Sequence, residues 1–350
     1  MATAPLSVEP LEAENGQPLL VKLARLPASA LPTCMHAILQ LVFFAQDEPQ
    51  FFTVSVTNGS TISLVAQPER LAALAAAMPE NTLETDETDW CVVRVDEGSL
   101  GFESIGVVER LAAPLASAGI PVLYISTYST DYCLLPLERL DEALDCLAPS
   151  PTRPRPLPHV RGVVAAKGVA AAAAPTPEAD LPESSSRHSH ALTVLDGASH
   201  IVRLEKSHRQ RHTGALLRLL FMPQDGDVPP AIASFTETAD EISLISSAGA
   251  TSGGRASWWQ QHVTSHHGSE HGLQHDSQEW VPIRVGDADG TPLSEVGVIA
   301  TQAKILAEAD ISIFYLSTYE NDYTLVSQAD IARAAEAFES AGFRLERSHR

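Results

Sequence analysis

Two stretches of the chain are near copies of one another: YISTYSTDY at 124–132 and YLSTYENDY at 315–323. Each places β-forming residues on both sides of a polar tip, which is the pattern of a tight hairpin. The duplication extends well beyond the hairpins. AILQLVFFAQ (37–46) resembles ALLRLLFMPQ (215–224), and TISLV (61–65) resembles EISLI (241–245). WCVVRV at 90–95 matches WVPIRV at 280–285, and ESIGVVERLAAPLASAGI (103–120) matches SEVGVIATQAKILAEADI (294–311). Apolar residues at helical spacing, Val107, Leu111 and Leu115 in one copy and Ile299, Ile305 and Leu306 in the other, predict helices with one face on a sheet. Further helices are predicted at 137–147 and 329–341. The order is a repeated β, α, β, β, α, β, the split βαβ or ferredoxin-like arrangement of an α+β fold. Each half has about enough chain for two such modules.

The predicted boundaries follow. Residues 1–17, acidic and without an apolar core, are expected to be disordered, and 18–147 to form a first tandem pair. Residues 148–190, rich in Pro, Ala and Ser, cannot supply an amphipathic face and read as a disordered linker. Residues 191–343 form the second pair, with a His-rich loop insertion over 250–278.

Charge narrows the function. The 350 residues carry 23 basic and 44 acidic side chains, a formal charge of −21, which argues against a nucleic-acid binder and against docking on anionic lipid. Cys34, Cys91, Cys133 and Cys146 lack metal or disulfide spacing and read as thiols in a reducing compartment. No apolar run is long enough to span a bilayer, and the expected location is the cytosol. No nucleophile elbow, phosphate loop or hydrolase motif is present, so no enzymatic activity and no cofactor are expected.

The paired strand–helix–hairpin units resemble the ACT-domain family. More narrowly, the doubled STY-x-x-D-Y hairpin after E-x-G resembles the GATS-like proteins, which include the cytosolic arginine sensors of the TOR complex pathway, the CASTOR proteins. That resemblance implies four ACT modules, arginine or another cationic amino acid held between the second and fourth, a homodimer, and a partner in a regulatory complex upstream of the TOR complex. It implies ligand contacts from Glu295, Val296 and Gly297, from Thr318, Tyr319 and Asp322, and from Pro121 and Val122 of the second module. Two positions depart from the pattern: Pro121 stands where the family has serine, and Pro292 where it has glycine. Proline offers neither a hydroxyl nor a backbone donor.

The chemistry fits the residue types. Carboxylates recognise a guanidinium through strong paired hydrogen bonds, and a helix opened by glycine offers free amides to an α-carboxylate. Plainer roles compete. Asp131 and Asp322 suit hairpin turns, Glu295 suits a helix start, and the tyrosines suit a half-buried sheet. Of the two aspartates, Asp131 reads as architecture and Asp322 as the ligand contact. The histidines 262, 266, 267, 271 and 275 have partial metal spacing, but Gly268 and Gly272 interrupt any helix and no metal is expected. Two further functional readings stand beside the sensor: a scaffold with a degenerate pocket, and a regulator acting in trans on a biosynthetic enzyme.

Overall fold

The computed structural model describes residues 6–44, 50–96, 105–147, 191–222, 230–247, 262, 265, 270–286 and 295–348. The 148–190 linker, Pro292, Ser294, His266 and His267 lie outside them.

Four βαββ units follow one another. The first contains β2 (Leu20–Pro27), α1 (Leu31–Phe43), β3 (Phe51–Thr57), β4 (Thr61–Ala66), α2 (Pro68–Ala76) and β5 (Glu84–Thr85). The second contains β6 (Trp90–Asp96), α3 (Val107–Ser117), the hairpin β7 (Leu123–Ser126) and β8 (Asp131–Pro136), and α4 (Leu140–Leu147). The third contains β10 (Ser199–Leu204), α5 (Arg209–Leu220), β11 (Ile232–Thr238), β12 (Ile242–Ser247) and β13 (Leu273–His275). The fourth contains β14 (Trp280–Val285), α6 (Val298–Glu308), the hairpin β15 (Ile313–Ser317) and β16 (Asp322–Ser327), α7 (Ile331–Ser340) and β17 (Leu345–Arg347).

The units are not closed along the sequence. β1 (Ser7–Pro10) pairs with β6 (Ser7 opposite Asp96), and β9 (Leu192–Val194) pairs with β14. The opening strand of each half therefore completes the sheet of that half's second unit. This corrects the expectation that residues 1–17 are wholly disordered. An edge strand needs one neighbour only, and SVEP shows no periodicity that would announce it. β13 likewise falls inside the stretch predicted as a His-rich insertion, yet it pairs with β10 as the last strand of the third unit.

Units join edge to edge. The first and third pair through β3 and β11, with Val54 opposite Phe235, giving the strand order β5-β2-β4-β3-β11-β12-β10-β13. The second and fourth join at β7 and β15, with Ile125 opposite Leu316, giving β1-β6-β8-β7-β15-β16-β14-β9-β17. β2 also pairs with β6, and β10 with β14, so strands run on from one sheet into the other. Alternation then sends one face of each sheet outward to helices and the other inward to the opposite sheet. Phe52, Val54 and Phe235 pack under α1 and α5. Leu23, Phe51, Ile125, Tyr132, Leu316 and Tyr323 fill the space between sheets, where the Phe51 and Tyr132 rings lie 5.1 Å apart.

Both seams use hydroxyl groups. Ser55 and Ser234 Oγ are 2.9 Å apart, and Thr53 Oγ1 donates to Thr236 Oγ1 at 3.2 Å. At the other seam Tyr124 N donates to Ser317 Oγ (3.0 Å) and Tyr315 N to Ser126 Oγ (3.1 Å). The reciprocal bonds explain the serine of each STY motif: it satisfies an edge-strand amide where the ladder makes a single bridge.

Candidate functional site

The two hairpin copies do different things although they occupy equivalent places. In the first, Tyr124 OH donates to Asp131 Oδ2 at 2.8 Å, which commits that carboxylate within its own unit. In the second, the equivalent Tyr315 is fully buried and places its hydroxyl beside Asp322 without the geometry of a hydrogen bond. Burial, and then the Asp322 carboxylate, hold the Tyr315 phenol well above its usual pKa. The two tyrosine rings meet edge to face across the seam, centroids 6.3 Å apart.

Asp322 lines a cleft between the fourth and second units. Its walls are Glu295, Gly297 and the first residues of α6, with Thr318, Asn321 and Asp322 from the hairpin. The facing wall is Ala112 and Ala116 of α3, with Ile120, Val122 and Leu123. The space amounts to about 460 Å³ with its open mouth included, but room for the centre of a water-sized sphere is only about 20 Å³. That is space for roughly one water, so a larger guest has to part the walls.

Local sequence builds each wall. Gly297 sits at φ +90° as the N-cap of α6, a left-handed conformation that glycine adopts without strain. Thr301 N bonds to Gly297 O, which leaves the amides of Val298, Ile299 and Ala300 outside the helical ladder and at the cleft. The N-cap glycine has no side chain with which to cap this helix, and Glu295 stands two residues before it. Thr318 closes the hairpin tip: its N and Oγ1 both donate to Asn321 O (3.0 and 2.7 Å), and Asn321 N donates back to Thr318 Oγ1 at 3.2 Å. The same turn leaves Asn321 Oδ1 buried without a hydrogen-bond donor, in a residue that is 9% exposed.

Among the described residues the cleft lining holds two carboxylates, Asn321 with its unsatisfied amide oxygen, and no basic side chain. It suits a cationic group beside acceptors, an aliphatic stem along α3, and a carboxylate against the α6 amides.

Of the residues singled out from sequence, Asp322, Glu295, Thr318, Gly297 and Val122 meet in this cleft. Pro121, Val296 and Tyr319 do not line it. Val296 faces solvent, 37% exposed. Tyr319 turns to the first unit, where its N donates to Ser63 Oγ at 2.8 Å and its OH to Glu84 Oε1 at 3.2 Å. Successive residues of a hairpin tip point opposite ways, and that alternation could have separated Tyr319 from Thr318. Asn321, Ala112 and Ala116 line the cleft without having been singled out as contacts. Asn321 lay within the hairpin motif, whereas the alanines carried only a helical signal.

The histidine segment shows a different outcome. His212 of α5 is buried, with Nδ1 3.2 Å from His262 Nε2 and Nε2 2.8 Å from His271 O. Among the described residues, no three His, Cys, Asp or Glu side chains are arranged to hold a metal ion.

Residues 86–149 and 277–340, the second and fourth units, each match the ACT domain family. Curated relatives include the human protein named cytosolic arginine sensor for mTORC1 subunit 1, 28% identical over 137 residues, and its rat counterpart, 27% identical over the same length. Each alignment covers 35% of this chain and 40% of the relative. Solved structures also align: Synechocystis aspartate kinase at 14% identity over 98% of this chain and 57% of that one, TM-score 0.32. The regulatory subunit of Thermus flavus aspartate kinase aligns at 13% identity over 42% and 97%, TM-score 0.28. No helix among the described residues is long and apolar enough to cross a membrane.

Proposed function

We propose that this chain is a non-enzymatic amino-acid sensor that takes a cationic amino acid, arginine first, between its second and fourth units. All four units then act as ACT modules in two tandem pairs. The observation that carries the reading is the cleft: Glu295, Asp322 and Asn321 with its unsatisfied Oδ1 on one side, the start of α6 at the same mouth, and no lining cation among the described residues. The relatives' names support arginine and a role in mTORC1 signalling. The same names support the cytosol as its location; that it acts as a homodimer, by ligand-dependent binding to a regulatory complex, is part of the proposal.

Entry requires Gly297 and the hairpin to move from Ala116 and Val122, because the closed cleft has room for about a water. That movement makes occupancy readable, since a ligand shifts only those equilibria whose states it binds differently.

The test is calorimetry of the full chain against all twenty amino acids. Arginine is expected to bind, lysine more weakly, and acidic amino acids not at all. Asp322→Asn removes a charged acceptor at almost constant size and should weaken arginine about 10- to 100-fold. No heat with any amino acid sinks the reading. The closed cleft also favours a second one, a scaffold with a degenerate pocket, which the same titration would then leave standing.

A further inference from the structure

The tip of the second hairpin has two working sides. Thr318, Asn321 and Asp322 line the cleft, while Tyr319 and Glu320 between them grip the first unit. Arg25 of β2 donates from Nη1 to Glu320 Oε1 at 2.8 Å. Its Nε and Nη2 each reach Glu84 Oε2 at 2.8 Å, and its guanidinium lies 5.1 Å from the Tyr319 ring centre. Ser63, which accepts Tyr319 N, stands opposite Arg25 in the β2–β4 ladder. Because the Thr318–Asn321 bonds lock the tip internally, it moves as one body. A displacement that opens the cleft then also acts on the Arg25–Glu320 contact.

The first hairpin supplies the comparison. Its tip grips the third unit through equivalent positions: Tyr128 N donates to Ser243 Oγ at 2.9 Å, and Ser243 stands opposite Arg203. There the acid comes from the sheet, not from the hairpin. Glu241 accepts Ser129 N (2.9 Å), Ser129 Oγ (2.6 Å), Thr127 Oγ1 (3.1 Å) and Arg203 Nε (2.8 Å). The two arginines are similarly exposed, Arg203 29% and Arg25 36%, but the Glu241 side chain is 4% exposed and Glu320 27%. Stripping a buried carboxylate of several donors costs far more than breaking a partly exposed pair. The hairpin beside the cleft is thus held by the weaker clamp.

We propose that Arg25 and Glu84 are positioning residues for the cleft, and that the Thr318–Asp322 tip links ligand capture to the docking of the fourth unit on the first. The inference rests on the ligand-site reading above. A docked tip presents Asn321 and Asp322 ready-made, so a broken clamp lowers ligand affinity. Linkage is reciprocal, and bound ligand tightens the clamp by the same factor.

The experiment titrates arginine into the full chain carrying Glu320→Gln, Arg25→Met, both together, or Ser129→Ala. Ser129 is the counterpart of Glu320 in the hairpin away from the cleft, and Glu320→Gln keeps size and shape should Arg25→Met fold poorly. Each clamp variant is expected to weaken arginine about fivefold, at the low end of typical couplings. The double variant should be no weaker than the worse single, and Ser129→Ala should match wild type. Arginine should also slow amide exchange at 61–66 in wild type but not in Glu320→Gln. Wild-type binding with unchanged affinity in both clamp variants overturns the linkage alone. A wild type that binds no amino acid overturns the ligand-site reading and the linkage with it.

Discussion

Glu237→Ala is expected to lower the stability of the chain by about 3–5 kcal/mol, the range for stripping one partner from a buried ion pair. Glu237 is 1% exposed and accepts Arg209 Nη1 on both oxygens, at 3.0 and 2.9 Å, with Lys206 Nζ 3.5 Å away. Both cations are themselves 16% exposed, so water cannot take over the solvation of either. Arg209 Nη2 also donates to Val42 O at 2.9 Å, which ties the start of α5 to the end of α1 across the first and third units. Thermal unfolding should shift down by about 10 °C, at a few degrees per kcal/mol for a body of this size. Replacing the triad with apolar residues (Lys206→Met, Arg209→Met and Glu237→Leu together) should recover most of the loss. A triple variant as unstable as Glu237→Ala would mean that the loss comes from the Val42 tie or from packing, not from stranded charge.

Gly297→Val is expected to abolish detectable arginine binding while costing about 1–2 kcal/mol of stability. The stability cost follows from φ +90°, a left-handed conformation that a β-branched residue adopts only under strain. Space is not the obstacle, because a Cβ at Gly297 would lie 4.0 Å from Ala116 Cβ. The valine methyls, however, would extend from that point into a cleft with almost no spare room. Gly106→Val makes the matched change at the equivalent helix start, at φ +80° and 3.7 Å from Ala307 Cβ. Both variants should lose similar stability by chemical denaturation, and only Gly297→Val should lose binding. Equal affinity in the two would place the ligand elsewhere.

Neither experiment would have suggested itself from the sequence alone, though its raw material was legible there. Helical spacing marked α3 and α6, and their glycine starts fall one residue before each helix, at Gly106 and Gly297. The STY motifs marked both hairpins, because the alternation of a strand is written in adjacent residues. The exchange of β1 and β9 was not legible. Each is a short edge segment whose partner is chosen by an open neighbouring strand, and nothing local encodes that choice. The contacts of Tyr319 were not legible for a related reason: the motif shows that a tyrosine follows Thr318, but which unit lies against that side of the tip depends on how two sheets stack.

Taken by itself, the sequence determined the duplicated α+β pattern, the acidic character of the chain and the two carboxylates, Glu295 and Asp322, that share one unit. These are local or compositional properties, carried by residue type and period. Only the tertiary structure decided that Asp131 is held by Tyr124 while Tyr315 makes no such bond to Asp322, and that the acid of the hairpin clamp changes sides from Glu241 to Glu320. Two copies of nearly the same nine residues diverge there because hydrogen bonds and burial are set by what packs against them. That neighbour is the third unit for one hairpin and the first unit for the other.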